Sequence, residues 1–131
     1  MPDLKDLLQT ADWKAEKHVP VIEAPDQIKN GQLLTVQVSV GKQIAHPNTT
    51  EHHIRSIELY FLPAGEKFPY QVARFEFCAH GESVQGPNTS TVFCEPKATA
   101  ELKTSKSGAI IAVGYCNIHG IWQSEKQLQV V

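Results

Sequence analysis

Apolar side chains recur along most of this chain at every second position. In LLTVQVSV, residues 33–40, Leu34, Val36, Val38 and Val40 alternate with Thr35, Gln37 and Ser39. Extended backbone sends successive side chains to opposite faces, so the pattern predicts a strand with one buried face. SIELYFLP repeats it with Ile57, Leu59 and Phe61, and VARFEFC sends Ala73, Phe75 and Phe77 one way, Arg74 and Glu76 the other. ATAELKT and KQLQVV are weaker examples, GAIIAVGYC reads as a more fully buried strand, and VPVIEA near the start completes seven. Turn signals lie between them at Asn30-Gly31, Pro63-Ala64-Gly65, Gly86-Pro87-Asn88 and Ser107-Gly108. Helical spacing is confined to Leu4, Leu7 and Leu8, which predicts a short N-terminal helix or turn. The expectation is one all-β domain over residues 1–131, a seven-stranded antiparallel sandwich or barrel.

Length supports that count, because 131 residues suffice to bury a core of their own. Charge excludes more than it suggests. The formal net charge is -2 and the lysines and arginines are scattered, so no basic stripe exists to follow a phosphate backbone. A nucleic-acid partner is not expected. No apolar run approaches the length of a membrane span, so no membrane partner is expected either. MPDLKDLLQTADWK carries acids where a secretory signal has a basic region and an apolar core. The chain is therefore expected to be cytoplasmic, where thiols stay reduced. On that basis the glycosylation-like triplets at Asn48 and Asn88 are chance matches.

The polar segment HPNTTEHH, residues 46–53, holds three of the six histidines. His18 stands just before the first predicted strand, His46, His52 and His53 belong to the loop between the second and third predicted strands and run into the third, and Cys116 and His119 form C-x-x-H at the end of a buried strand. All fall at strand ends or in loops, where a rigid scaffold can bring them together. Neutral imidazoles with one thiolate suit iron, copper, zinc or nickel and disfavour calcium or magnesium. A closed structural zinc site needs four ligands, whereas His18, His46, one of His52 and His53, Cys116 and His119 make five. Five ligands with one position free describe a reactive centre. Adjacent residues of an extended chain point to opposite faces, so one of His52 and His53 binds, and the residue chemistry leaves open which.

Competing readings share these residues. A cupredoxin-like copper electron carrier fits a β-sandwich with a histidine loop and a late cysteine. The chain's single methionine is Met1, which weakens that reading because such sites commonly use an axial methionine. A non-catalytic zinc or iron module is the other alternative. His80, grouped only with Glu82, reads as a structural histidine, and Cys78 and Cys94 read as structural cysteines.

Taken together, EKHVP at 16–20, HPNTTEHH at 46–53 and CNIHG at 116–120 closely resemble the superoxide reductases. The likeness extends through Trp13, KFPY at 67–70 and HGESVQGPNTS at 80–90. It is narrowest to the one-iron neelaredoxin type, since residues 1–131 hold no C-x-x-C of the kind that forms desulfoferrodoxin's extra four-cysteine iron domain. The resemblance implies an immunoglobulin-like seven-stranded β-barrel holding one non-haem iron per chain. It implies His18, His46, His52 and His119 around the iron and Cys116 as the axial thiolate, selecting His52 over His53. It further implies Glu16 as a sixth ligand to oxidised iron and Lys17 as the cation that draws in superoxide. The implied reaction is one-electron reduction of superoxide to hydrogen peroxide, with rubredoxin or a similar small donor restoring the iron. A homo-oligomer, in this family commonly a tetramer, is implied as well.

Overall fold

The computed structural model describes residues 1–131. Strands β1 (Pro20–Glu23), β2 (Gln27–Ile28), β3 (Leu34–Val40), β4 (Ile54–Pro63), β5 (Tyr70–Glu76), β6 (Lys97–Leu102), β7 (Gly108–Cys116) and β8 (Gly120–Val130) follow a four-residue helix α1 (Leu4–Leu7). They form a three-stranded sheet, β1-β3-β6, and a five-stranded sheet, β2-β8-β7-β4-β5. The seven expected strands are present. The eighth, β2, has two residues, and it pairs in parallel with the end of β8 in an otherwise antiparallel arrangement. α1 buries none of its side chains.

Alternation decides the faces. Leu34, Val36, Val38 and Val40 of β3 turn inward, as do Ile57, Leu59 and Phe61 of β4 and Ile110 and Ala112 of β7, all at 4% exposure or less. With Ile28 and Leu128 they form one cluster between the sheets. Fully burying an aliphatic side chain of this kind contributes about 1.5–3 kcal/mol, so the layer between the sheets is the fold's main support. β7, expected to be buried on both faces, alternates buried and half-buried residues because its outer face is only partly covered. It is nevertheless central, paired with β4 on one side and β8 on the other.

Two local features aim the loops at one end of the sandwich. Between Ile54 and Ser56 the β4–β7 register shifts, so that Ile54 opposes Cys116 while Ser56 opposes Tyr115. A bulge of this kind adds an unpaired residue and re-aims the strand end; here it sets the direction in which the preceding histidines leave β4. At Gly114, a Cβ would lie 3.2 Å from Pro20 Cγ and 3.3 Å from Val40 Cγ2. Glycine there lets the smaller sheet approach β7 closely, which brings His18, two residues before Pro20, toward the end of the β7–β8 hairpin.

Candidate metal centre

Four of the predicted donors converge at that end. One donor atom each from His18, His52, Cys116 and His119 lie within 4.8 Å of one another. His46 stands outside this tightest group, but its ring centroid is 4.8 Å from both His18 and His52. His18–His119 and His52–His119 are 4.8 and 5.0 Å apart, whereas His18 and His52 are separated by 6.4 Å. Neighbours are therefore closer than that opposite pair, and the four rings form a rough square. Neighbouring rings are tilted by 54–83°. Cys116 is fully buried and enters from the core side.

Each donor is held by a different part of the fold. The His46 Nδ1–H donates to the Pro47 carbonyl at 2.6 Å, which fixes the tautomer and leaves Nε2 with a free lone pair. That Nε2 and the Nε2 of His52 are buried without any hydrogen-bond partner. Two buried acceptors without partners, on rings whose centroids are 4.8 Å apart, are costly in a metal-free fold and suit a Lewis acid. His18 uses Nδ1 toward Glu16 Oε1 at 2.6 Å, and its Nε2 faces His119 Nδ1 at 3.1 Å. The Cys116 sulfur accepts the His119 backbone N–H at 3.4 Å and lies 3.9 Å from His119 Nδ1. The donor chemistry and the orphaned nitrogens fit a borderline transition metal such as iron.

Electrostatics keep these imidazoles ready to bind. Burial pushes His46 down to about 4 against the Pro47 hydrogen bond, which raises it, and with smaller lowering contributions from His18, His52 and Lys17. His52 is also lowered, chiefly by burial and then by His119, His18 and Lys17. Both are neutral near pH 7, the form in which an imidazole donates its lone pair. Lys17 makes no ion pair, so its charge acts on the centre uncompensated. Glu16 is held below the ordinary carboxylate range mainly by its hydrogen bond with His18. Its carboxylate therefore sits on His18 Nδ1, behind the ring, and not among the converging donors.

The structure separates His52 from His53. His52 joins the square, while His53 lies flat on His80 with ring centroids 3.4 Å apart and planes 5° from parallel. Cys78 and Cys94 are free thiols. His80 pairs with Phe93, and the Cys94 N–H reaches the Ala79 carbonyl. Cys94 thus opposes Ala79, the neighbour of Cys78, so the two cysteines do not face each other across the strands.

Trp122 was not singled out by its sequence context. Its indole stacks on His18 at 4.9 Å and 15°, and its Nε1–H donates to the His119 carbonyl at 3.2 Å. It props two converging histidines at once. The only local signal is its position in HGIW, just after Gly120, whose φ of +80° closes the hairpin loop. Asn117 is the second omission: it exchanges backbone and side-chain hydrogen bonds with His53, tying the two donor loops together.

Residues 10–125 match the Desulfoferrodoxin family. The superoxide reductase of Pyrococcus furiosus is 60% identical over 126 residues, 96% of this chain and 99% of its own. Neelaredoxin of Megalodesulfovibrio gigas is 54% identical, covering 92% and 93% respectively. Among solved structures, a putative superoxide reductase from Thermotoga maritima superposes with a TM-score of 0.97 at 53% identity, over 100% of this chain and 99% of that one. The reduced superoxide reductase (neelaredoxin) of Archaeoglobus fulgidus gives 0.87 at 59% identity, over 94% and 98%.

Proposed function

The chain belongs to the desulfoferrodoxin family, and from that premise we propose that it is a superoxide reductase of the one-iron neelaredoxin type. It reduces superoxide at a non-haem iron, consuming one electron and two protons to release hydrogen peroxide. The observation that carries the reading is the square of His18, His46, His52 and His119 closed from the core side by the buried Cys116 thiol. One iron per chain would be held by these five residues.

Iron held there supplies the single electron. The protein's part is to hold the donors, to attract the anion and to protect the centre. The Pro47 carbonyl and the Glu16 carboxylate each take one imidazole N–H, so His46 and His18 present fixed nitrogens. The His119 N–H on the Cys116 sulfur stabilises the thiolate form. The half-buried Lys17 draws superoxide toward the centre by local charge, since the net charge of -2 cannot. Glu16, held on His18 Nδ1, would be the residue to supply a further ligand to oxidised iron, and would have to release His18 to do so. An external donor, rubredoxin or a similar small redox protein, restores the electron. The chain functions as a homo-oligomer, as a tetramer in the form most consistent with the one-iron type. The family assignment favours this reading over a copper electron carrier.

The test is metal content of anaerobically purified protein beside its Cys116→Ser variant, followed by peroxide yield from superoxide with a reductant present. One iron per chain, a visible band lost in the variant, and one peroxide per superoxide support the proposal. Stoichiometric copper or zinc in protein never stripped of iron, or catalysed oxygen release well above spontaneous dismutation and outpacing reduction, would reject it.

A further inference from the structure

Four buried side-chain atoms in the protein have no hydrogen-bond partner: Nε2 of His46 and His52, Nε2 of His53, and Nδ1 of His80. The first two belong to the square. The second two belong to the stacked pair, beside the roomiest cavity, about 520 Å³, whose lining includes Arg55, Cys78 and Glu82. Each ring of the pair donates its other nitrogen to a backbone carbonyl, His53 to Thr49 at 2.9 Å and His80 to Phe77 at 2.5 Å. That is the tautomer fixing seen at metal ligands. The ring geometry points elsewhere. Lone pairs lie in the ring plane, and these planes are parallel, so an ion bonded to both nitrogens would sit between the planes and off both lone-pair axes. The square, by contrast, meets at tilts of 54–83°. The stack is a packing contact between two loops.

Other contacts join the same loops. The Thr50 N–H donates to Asn88 Oδ1 at 2.9 Å and the Asn88 N–H to Thr50 Oγ1 at 3.1 Å. The Thr50 hydroxyl donates to the His80 carbonyl at 2.7 Å. The Asn88 amide reaches both Glu51 carboxylate oxygens at 2.8 and 3.1 Å, and Asn48 donates to the Cys94 carbonyl at 3.0 Å. Asn88 does this from a φ of +57°, a conformation asparagine tolerates better than most residues. The loop so held runs from His46 to His53 and carries two of the converging imidazoles.

We propose that the segment 80–94 is a positioning clamp for the metal centre: Asn88, Thr50 and the His53–His80 stack fix the loop that presents His46 and His52. It touches neither substrate nor metal and acts through those two histidines. The inference rests on the function proposed above only in naming iron as the metal. Its physical content is that loosening the clamp lowers the centre's hold on any fitting ion. Partners bonded directly to a ligand typically contribute about tenfold to a hundredfold, and contacts one layer further out fall at or below the lower end of that range.

Three variants test it. Thr50→Val keeps the side-chain shape and removes the hydroxyl; Asn88→Gly keeps access to positive φ and removes the amide; Thr50→Ser restores a hydroxyl. Metal-free protein of each is loaded with cobalt(II), its ligand-field spectrum is recorded, and the ion is challenged with a chelator. Amide exchange at residue 50 is followed in the metal-free protein. Thr50→Val and Asn88→Gly are expected to lose cobalt up to about tenfold faster, with an altered spectrum and faster exchange. Thr50→Ser should release it close to the parent rate. Parent-like release and spectrum in both disrupted variants would overturn the clamp, as would Thr50→Ser behaving like Thr50→Val. A parent chain that takes up cobalt but never iron would fail the functional reading while leaving this comparison decisive.

Discussion

Replacing Trp122 separates what a side chain contributes to folding from what it contributes to the metal centre. The indole is 9% exposed, stacks on His18 at 4.9 Å and donates to the His119 carbonyl at 3.2 Å. Trp122→Ala removes the buried ring, the stack and the hydrogen bond. Large-to-small changes of this type cost about 3–5 kcal/mol, and the lower end applies here because the ring lies at the edge of the core. Trp122→Phe retains an aromatic face against His18 and loses only the indole N–H, a net contribution of about 1 kcal/mol. If that bond serves to hold His119, most of its loss should be felt by the bound metal. At about 1.4 kcal/mol per factor of ten, iron would be lost about fivefold faster from Trp122→Phe. The assay pairs urea unfolding of metal-free protein, followed by circular dichroism, with chelator-driven iron release from loaded protein. Trp122→Ala should be markedly destabilised and release iron fastest, and Trp122→Phe should be mildly affected in both. Iron release from Trp122→Phe at the parent rate would refute the claim that the indole N–H positions His119.

Other perturbations probe different levels. If its unpaired charge attracts the anion, Lys17→Ala should slow superoxide capture by up to about tenfold and flatten its dependence on ionic strength; stopped-flow rates that respond to salt as the parent's do would reject that role. Gly114→Ala places a methyl 3.2 Å from Pro20 and 3.3 Å from Val40 and should cost about 1–3 kcal/mol in urea unfolding. A parent-like midpoint would show that the two sheets are not in tight contact there. Burial holds His80 below the ordinary imidazole range, so the unfolded chain takes up this proton before the folded one does. Its contribution to stability is therefore lost as pH falls below the unfolded imidazole value of about 6.5. The metal-free parent should lose more stability between pH 7 and 5 than His80→Phe does, and equal losses would show that His80 carries none of the effect.

Much of the architecture was legible because a strand's period is local. Leu34, Val36, Val38 and Val40 declare their common face within seven residues, and the structure buries all four. The donors were legible for a chemical reason, since few residue types bind iron and they stand together in short motifs. Other elements left little local trace. β8 begins at Gly120, six residues before its expected start at Lys126, because Ile121 to Glu125 mix apolar and polar side chains and are held by backbone pairing with β7. The two-residue β2 exists only because the end of β8 offers it an edge.

The sequence by itself determined which faces are apolar, where the chain turns and which side chains have the chemistry to bind a metal. Tertiary structure decided which of them meet. Trp122 reaches His18 across 104 residues because two sheets pack at that end, and His53 meets His80 because two loops from different strand connections are clasped together. Residue spacing carries no record of such encounters. They follow from non-local strand pairing and from sheet packing that lets the smaller sheet settle against a bare Gly114, conditions that exist only once the whole chain has folded.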